Sequence, residues 1–297
     1  MKIPYYPGCT LKTSAKNFED SALAAAGALG LELVELPRWN CCGTVYSLTS
    51  DDLIHHVAPI RNFVRVQEMN QRGDIKDEYR LLTLCSMCYN TLKRSNLRVR
   101  ENADDLEKIN NLMYLEQDYL GEVTVIHFLS LLKEMGFGAI AKKVKNPLKG
   151  LKVAPYYGCM LLRPQEVAID DPEDPTIQQE LFAALGADVV TNPYQKVCCG
   201  SYQTVQDKRI VADLAYDILS HAQKKGAECV ATSCPLCAFN LDNRQKEVKE
   251  IHPDFKKIPV FYFTQLMAIA FGLDRKYAGF DLNYIDPEPL LQEKRLL

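Results

Sequence analysis

Two rhythms of apolar positions alternate along this chain: short dense runs suited to strands, and longer stretches with an apolar stripe of helical period. In the first half Lys2–Tyr6 reads as a strand, followed by an amphipathic helix over about Ala15–Leu29 that Gly30 stops. Glu32–Leu36 reads as the next strand, Leu53–Gln71 as a long amphipathic helix, and Arg80–Leu84 as a strand leading into another helix. The second half repeats the order, with strands at Lys152–Tyr157, Asp188–Thr191, Cys229–Ser233 and Val260–Phe263. Val125-Ile126-His127-Phe128 heads a helix-like run just as Val260-Phe261-Tyr262-Phe263 does. Strands alternating with helices predict an α/β fold of parallel sheets flanked by helices, with sites gathered at the C-terminal ends of the strands. The charged segment Arg72–Tyr79 reads as a surface excursion, and Asn96–Leu120 as one or two charged helices without an equal in the second half.

Composition narrows the class. A chain of 297 residues suits two domains, and 47% hydrophobic with 25% charged residues is ordinary for a globular protein. Lys and Arg number 35 against 38 Asp and Glu, so no positive field exists to hold nucleic acid. The longest apolar stretch, Pro259 to Leu273, has 15 residues and contains Thr264 and Gln265, too short for a membrane span. No apolar signal region precedes Cys9, which points to the cytoplasm.

The 11 cysteines change the picture, because in a reducing compartment they read as metal or redox ligands. Five run C-x31-CC-x42-C-x2-C from Cys9 through Cys41, Cys42 and Cys85 to Cys88. Five more run C-x38-CC-x34-C-x2-C through Cys159, Cys198, Cys199, Cys234 and Cys237. Neighbouring text recurs too: Pro4-Tyr5-Tyr6-Pro7-Gly8-Cys9 returns as Pro155-Tyr156-Tyr157-Gly158-Cys159, and each cysteine pair is followed by Gly43 or Gly200. Cys85-Ser86-Met87-Cys88-Tyr89-Asn90 returns as Cys234-Pro235-Leu236-Cys237-Ala238-Phe239-Asn240. This is an internal duplication. The basic stretch Lys142–Gly150 around Pro147 is the natural linker, which divides the chain into residues 1–146 and 147–297. Cys229 lies five residues before Cys234, where the first half has Arg80, and reads as a buried strand cysteine outside the site.

Five thiols per half fit neither a tetrahedral zinc nor an ordinary cubane, each of which takes four. They suggest an iron–sulfur cluster of another kind, with zinc and plain thiol–disulfide chemistry as alternatives. The doubled C-x31–39-CCG-x34–36-C-x2-C pattern resembles the cysteine-rich CCG domain, and a chain of two such domains resembles the B subunit of heterodisulfide reductase. That resemblance implies two pseudo-symmetric domains with their clusters near the interface. It implies one non-cubane [4Fe-4S] cluster on Cys9, Cys41, Cys42, Cys85 and Cys88, and a second on Cys159, Cys198, Cys199, Cys234 and Cys237. The x42 gap exceeds the usual spacing, and the Arg72–Tyr79 excursion reads as the outward-looping insertion that accounts for it.

The activity implied is catalytic reduction of a disulfide, such as that of coenzyme M and coenzyme B, to two thiols. Two facing clusters would each bind one sulfur and supply one electron. The implied partners are a C-like subunit with cubane clusters and a flavin-containing A-like subunit, since this chain has no dinucleotide fingerprint or cubane motif of its own. An electron-transfer subunit of a related complex acting on another substrate is the alternative, and a structural zinc protein the third class. His55, His56, His127, His221 and His252 lie apart from the cysteine motifs and read as surface or core histidines. Lys196 reads as a solvated lysine that could also meet an anionic substrate group.

Overall fold

The computed structural model describes residues 1–43, 52–75 and 78–297. The first half runs β1 (Lys2–Tyr6), α1 (Lys16–Ala28), β2 (Glu32–Glu35), α2 (Val57–Arg72), β3 (Arg80–Thr83), α3 (Ser86–Glu101), α4 (Ala103–Leu112), β4 (Thr124–His127), α5 (Phe128–Met135) and α6 (Phe137–Ala141). The second runs β5 (Lys152–Tyr156), α7 (Ile177–Ala184), β6 (Asp188–Val189), α8 (Gln203–Gln206), α9 (Lys208–Lys224), β7 (Cys229–Thr232), α10 (Pro235–Asn243), α11 (Gln245–Ile251), β8 (Val260–Tyr262), α12 (Phe263–Ala270) and α13 (Glu288–Glu293).

Each half builds its own four-stranded sheet, ordered β2-β1-β3-β4 and β6-β5-β7-β8. Every pairing is parallel: Tyr5 lies opposite Leu82 and Leu82 opposite Ile126, as Pro155 lies opposite Ala231 and Ala231 opposite Phe261. The inner strands are buried on both faces, as parallel strands covered by helices are. In this strand order the chain reverses direction of travel between β1 and β3, and between β5 and β7, which opens a crevice at those C-terminal ends.

Three sequence readings need correction. Val125–His127 belongs to a strand, β4, that passes directly into α5 with no turn residue between, so its period is hidden. The segment Asn96–Leu120 does have a counterpart, since α10 and α11 repeat the helix–helix–strand order of α3 and α4 in shorter form. The longer gap between Cys42 and Cys85 arises mainly before α2, where residues 43–56 number 14 against eight for residues 200–207. Arg72–Tyr79 contributes little of it, and Ile75 there is buried at 2% exposure.

The halves join reciprocally. Helix α1, which follows the first strand of its half, packs against α12, which follows the last strand of the other, and α7 packs against α5 in the same way. Phe18 stacks on Tyr262 at 4.3 Å between ring centroids and meets Phe263 edge-on at 5.7 Å. Both phenylalanines are wholly buried, and each contributes about 2 kcal/mol of apolar burial. The hydroxyls of Ser21 and Thr264 lie 2.6 Å apart in the same seam. Nearer the crevice the Ser86 amide donates to the Ser233 carbonyl at 3.3 Å, and the two serine hydroxyls are 2.8 Å apart. The linker is itself knitted down: the amides of Lys145 and Asn146 both donate to the Ala270 carbonyl at 2.9 Å, and Leu148 is wholly buried.

Candidate functional site

The strand ends deliver the cysteines. Cys9 follows β1 and Cys159 follows β5, each after a glycine in the left-handed region, Gly8 at φ 75° and Gly158 at φ 64°. The pairs Cys41-Cys42 and Cys198-Cys199 come after the neighbouring strands and turn on Gly43 at φ 92° and Gly200 at φ 91°. Cys85 and Cys234 occupy the N-cap positions of α3 and α10, with Cys88 and Cys237 on the first turns. A helix N-terminus favours the thiolate form that metals and electrophiles require.

All ten converge in two matching sets. Cys42 Sγ lies 3.5 Å from Cys88 Sγ, and Cys199 Sγ lies 3.4 Å from Cys237 Sγ. Cys159 and Cys198 are 4.0 Å apart. Hydrogen bonds from Cys159 and then Cys199 hold the Cys198 thiol far below its ordinary range, and those from Cys237 and Cys85 do the same for Cys234. The Cys85–Cys234 bond crosses between halves, so the two sets touch. Cys9, Cys41 and Cys198 are exposed and Cys159 half-buried, whereas Cys42, Cys85, Cys88, Cys199, Cys234 and Cys237 are buried. Each set therefore has a buried floor and an open rim. Among the described residues no three Cys, His, Asp or Glu side chains gather closely enough to share one ion.

The backbone leaves room at the floor. A Cβ on Gly8 would lie 3.1 Å from Cys88 Sγ, and one on Gly158 would lie 3.3 Å from Cys237 Sγ. The repeated Gly-Cys dipeptide carries this signal in the sequence.

Each set is closed by the other half. The five cysteines of the first set line a cavity of about 200 Å³ whose remaining wall includes Tyr202, Leu236 and Phe239. Those of the second set line a far smaller cavity, about 10 Å³, walled by Met87 and Ser86. Met87 and Leu236 are the matching inner residues of the two C-x2-C loops, and the Tyr202 hydroxyl reaches Met87 Sδ at 3.0 Å. Nothing in the linear pattern marks Tyr202, Met87 or Leu236 as shared walls, because their roles arise only when the halves meet.

The remaining candidates fall elsewhere. Cys229 is wholly buried in β7, its Sγ 3.8 Å from the Lys152 carbonyl, and burial pushes its thiol up. Lys196 is held by the carboxylate of Glu173 and by the Glu173 carbonyl at 2.7 Å. His56 is buried against Ser95 at 3.0 Å, and His221 and His252 stack on Tyr194 and Tyr216. His55 is exposed. His127 is closer to the site than its sequence position suggests: its ring Nε2 bonds the Leu84 carbonyl at 2.7 Å, beside Cys85. The Leu129 amide donates to Nδ1, and burial lowers its pKa to about 4, so the ring is a neutral structural bridge. Asn90 and Asn240 do not share a role despite the repeated text. Asn90 reaches across to the carbonyls of Met160 and Arg163, whereas Asn240 holds its own turn at the carbonyls of Cys199 and Ser201. One residue more separates Asn240 from its cysteine, which puts it on a different face of the helix.

Comparison with known proteins gives four findings. The model of the CCG cysteine-rich domain matches twice, over residues 3–93 and 153–242. The chain is 32% identical, over 97% of its length and 99% of the relative's, to the 8-methylmenaquinol:fumarate reductase membrane anchor subunit of Wolinella succinogenes. It is 27% identical, over 96% of its length and 94% of the relative's, to the B subunit of the ferredoxin/F420H2-dependent CoB-CoM heterodisulfide reductase of Methanosarcina acetivorans. A solved structure of a hypothetical protein from Helicobacter pylori matches the fold with a TM-score of 0.74 at 11% identity, over 95% of this chain and 51% of that one. The chain thus spans about half the length of that structure.

Proposed function

The chain belongs to the cysteine-rich CCG family, with the domain present twice, and on that premise we propose that it is the redox subunit of a heterodisulfide-reductase-like complex. In this reading residues 1–146 and 147–297 are the two domains. Cys9, Cys41, Cys42, Cys85 and Cys88 hold one non-cubane [4Fe-4S] cluster, and Cys159, Cys198, Cys199, Cys234 and Cys237 hold the other. The observation that carries it is the meeting of two equivalent five-thiol sets at Cys85 and Cys234. The donor chemistry fits: ten soft sulfurs, four of them at helix N-termini, with Gly8 and Gly158 leaving the floor clear.

When bound, such clusters supply one electron each and an open iron position for sulfur, and cleaving a disulfide to two thiols takes two electrons and two protons. The protein's own part is to bring both sets within one crevice, to keep water from the buried floor with Met87 and Leu236, and to close each half with the other. Electrons would arrive from a C-like subunit with cubane clusters and a flavin-containing A-like subunit. We read the chain as cytoplasmic, and among the described residues no helix is long and apolar enough to cross a membrane.

A second reading is favoured by the 32% relative: an electron-transfer subunit of a related complex that exchanges electrons with something other than a disulfide. Anaerobic reconstitution followed by iron and acid-labile sulfide analysis tests the cluster assignment, with about eight iron atoms per chain expected. A stable zinc-loaded protein with about one zinc per half would refute it. Identification of the subunits that co-purify, then turnover with each candidate substrate, separates the two readings.

A further inference from the structure

Among the described residues, the walls of the two cysteine cavities carry no ionisable side chain besides cysteine and tyrosine. Besides the cysteines the larger one presents Thr10, Ser14, Met87, Tyr202, Leu236 and Phe239. Three cations on the surrounding elements are held by other groups. Lys12 Nζ lies 2.7 Å from both the Glu19 and Glu35 carboxylates, and Lys196 is tied to Glu173. Arg244 sits behind Phe239, 4.9 Å from its ring, where it donates to the Thr204 hydroxyl at 2.8 Å and meets Glu247 at 3.4 Å. Residues 44–51, Thr-Val-Tyr-Ser-Leu-Thr-Ser-Asp, contain no basic side chain in their sequence.

An anionic substrate entering here would give up its water with no cation among the described lining residues to offset the loss. Sites that take sulfonate, phosphate or carboxylate groups ordinarily supply an arginine or lysine. We propose that the crevice accepts an uncharged, largely apolar small molecule, a neutral disulfide or a quinone-type ring, and discriminates against anionic disulfides. This deepens the reading above and rests on both halves being cluster-loaded. Met87, Leu236 and Phe239 would provide the apolar faces, and the Tyr202 hydroxyl a neutral hydrogen-bonding handle.

The test titrates the anaerobic, reconstituted protein, its iron content first measured, with three probes while the electron paramagnetic resonance and visible spectra are followed. Bis(2-hydroxyethyl) disulfide is neutral, 2,2′-dithiobis(ethanesulfonate) has the same disulfide spacing with two negative charges, and 2,3-dimethyl-1,4-naphthoquinone is a neutral ring. At least one neutral probe should bind about tenfold or more tightly than the dianion, the factor that one missing charge-assisted hydrogen bond represents. Its affinity should also be insensitive to salt. Leu236→Lys, or Phe239→Lys should the first lose iron, places a cation in the wall and should raise affinity for the dianion about tenfold. Equal or tighter binding of the dianion by the unmodified protein at about eight irons per chain overturns this inference alone. No binding of either neutral probe overturns it too, as does a lysine variant that gains nothing for the dianion. Iron far below that level overturns the cluster reading and this inference with it.

Discussion

Replacing Gly8 by alanine separates backbone strain from intrusion into the cluster floor. Gly8 and Gly30 share a left-handed conformation, at φ 75° and 78°, so alanine at either position costs about 1–2 kcal/mol of backbone energy. At Gly30 the added methyl meets nothing within 4 Å, whereas at Gly8 it comes to 3.1 Å from Cys88 Sγ and 3.3 Å from the Tyr6 ring. Tyr6 is 1% exposed and its hydroxyl is held by the Asn40 carbonyl at 3.0 Å, so the ring cannot retreat. The sulfur must yield by several tenths of an ångström to reach ordinary contact, and that sulfur is a proposed cluster ligand. Gly30→Ala should lower the melting temperature by about 2–4 °C and leave about eight irons per chain. Gly8→Ala should drop iron to about four while the second site remains loaded, and Gly158→Ala should do the reverse. The assay is iron and sulfide content after anaerobic reconstitution, with circular dichroism melting on the same samples. Full iron in Gly8→Ala, with a melting shift no larger than that of Gly30→Ala, would show that Cys88 is not a ligand in this position.

Three further outcomes follow from the same geometry. Cys229→Ala should keep its iron and activity, at a cost of about 1 kcal/mol for the small cavity left in β7; loss of a whole cluster would mean the ligand set is wrong. Cys199→Ser should retain most of its iron yet abolish disulfide reduction, and Cys42→Ser should do the same, since one altered set leaves only a single one-electron donor. Near-normal turnover in Cys42→Ser alone would restrict catalysis to the second set. His127, neutral in the fold with a pKa of about 4 against 6.5 in an unfolded chain, binds fewer protons folded than unfolded between those values. Its stabilisation is therefore complete above pH 6.5 and is lost as pH falls toward 4, by about 3 kcal/mol. Denaturant unfolding of the unmodified protein and of His127→Gln across that window should diverge at pH 7 and converge near pH 4; parallel curves would refute it.

The cysteine spacing announces both sets in the linear chain, because a ligand must be a particular chemical type and a duplication writes it twice. Seven of the eight strands are legible as short apolar runs between turn residues. The eighth, β4, is hidden because Phe128 begins a helix where Val125–His127 ends a strand. The extra residues near Cys42 are easily misplaced, since charge density at Arg72–Tyr79 looks like an insertion whether or not it lengthens the chain. What local pattern could not give was anything made between the halves. The Ser86–Ser233 contact and the Tyr202 bond to Met87 join residues more than 100 positions apart, and even within one half the neutral bridge of His127 reaches back 43 positions to Leu84. The pairing of Lys196 with Glu173 is of the same kind, a solvent-side lysine claimed by a loop 23 residues earlier.

The reciprocal crossing of α1 on α12 and α7 on α5 has the form of an isologous interface, the kind two copies of one chain make about a twofold axis. A lone half would leave Phe18 or Phe263 facing water, so either half by itself would be driven to dimerise. Joining the copies in one chain replaces that encounter with a tethered one, whose effective concentration does not fall on dilution. It also releases the halves from identity. In a homodimer any substitution at the axis appears twice, but here methionine at position 87 faces leucine at 236, and His127 occupies the place that Tyr262 fills in the other half. The two cysteine sets of such a protein can therefore be tuned one at a time.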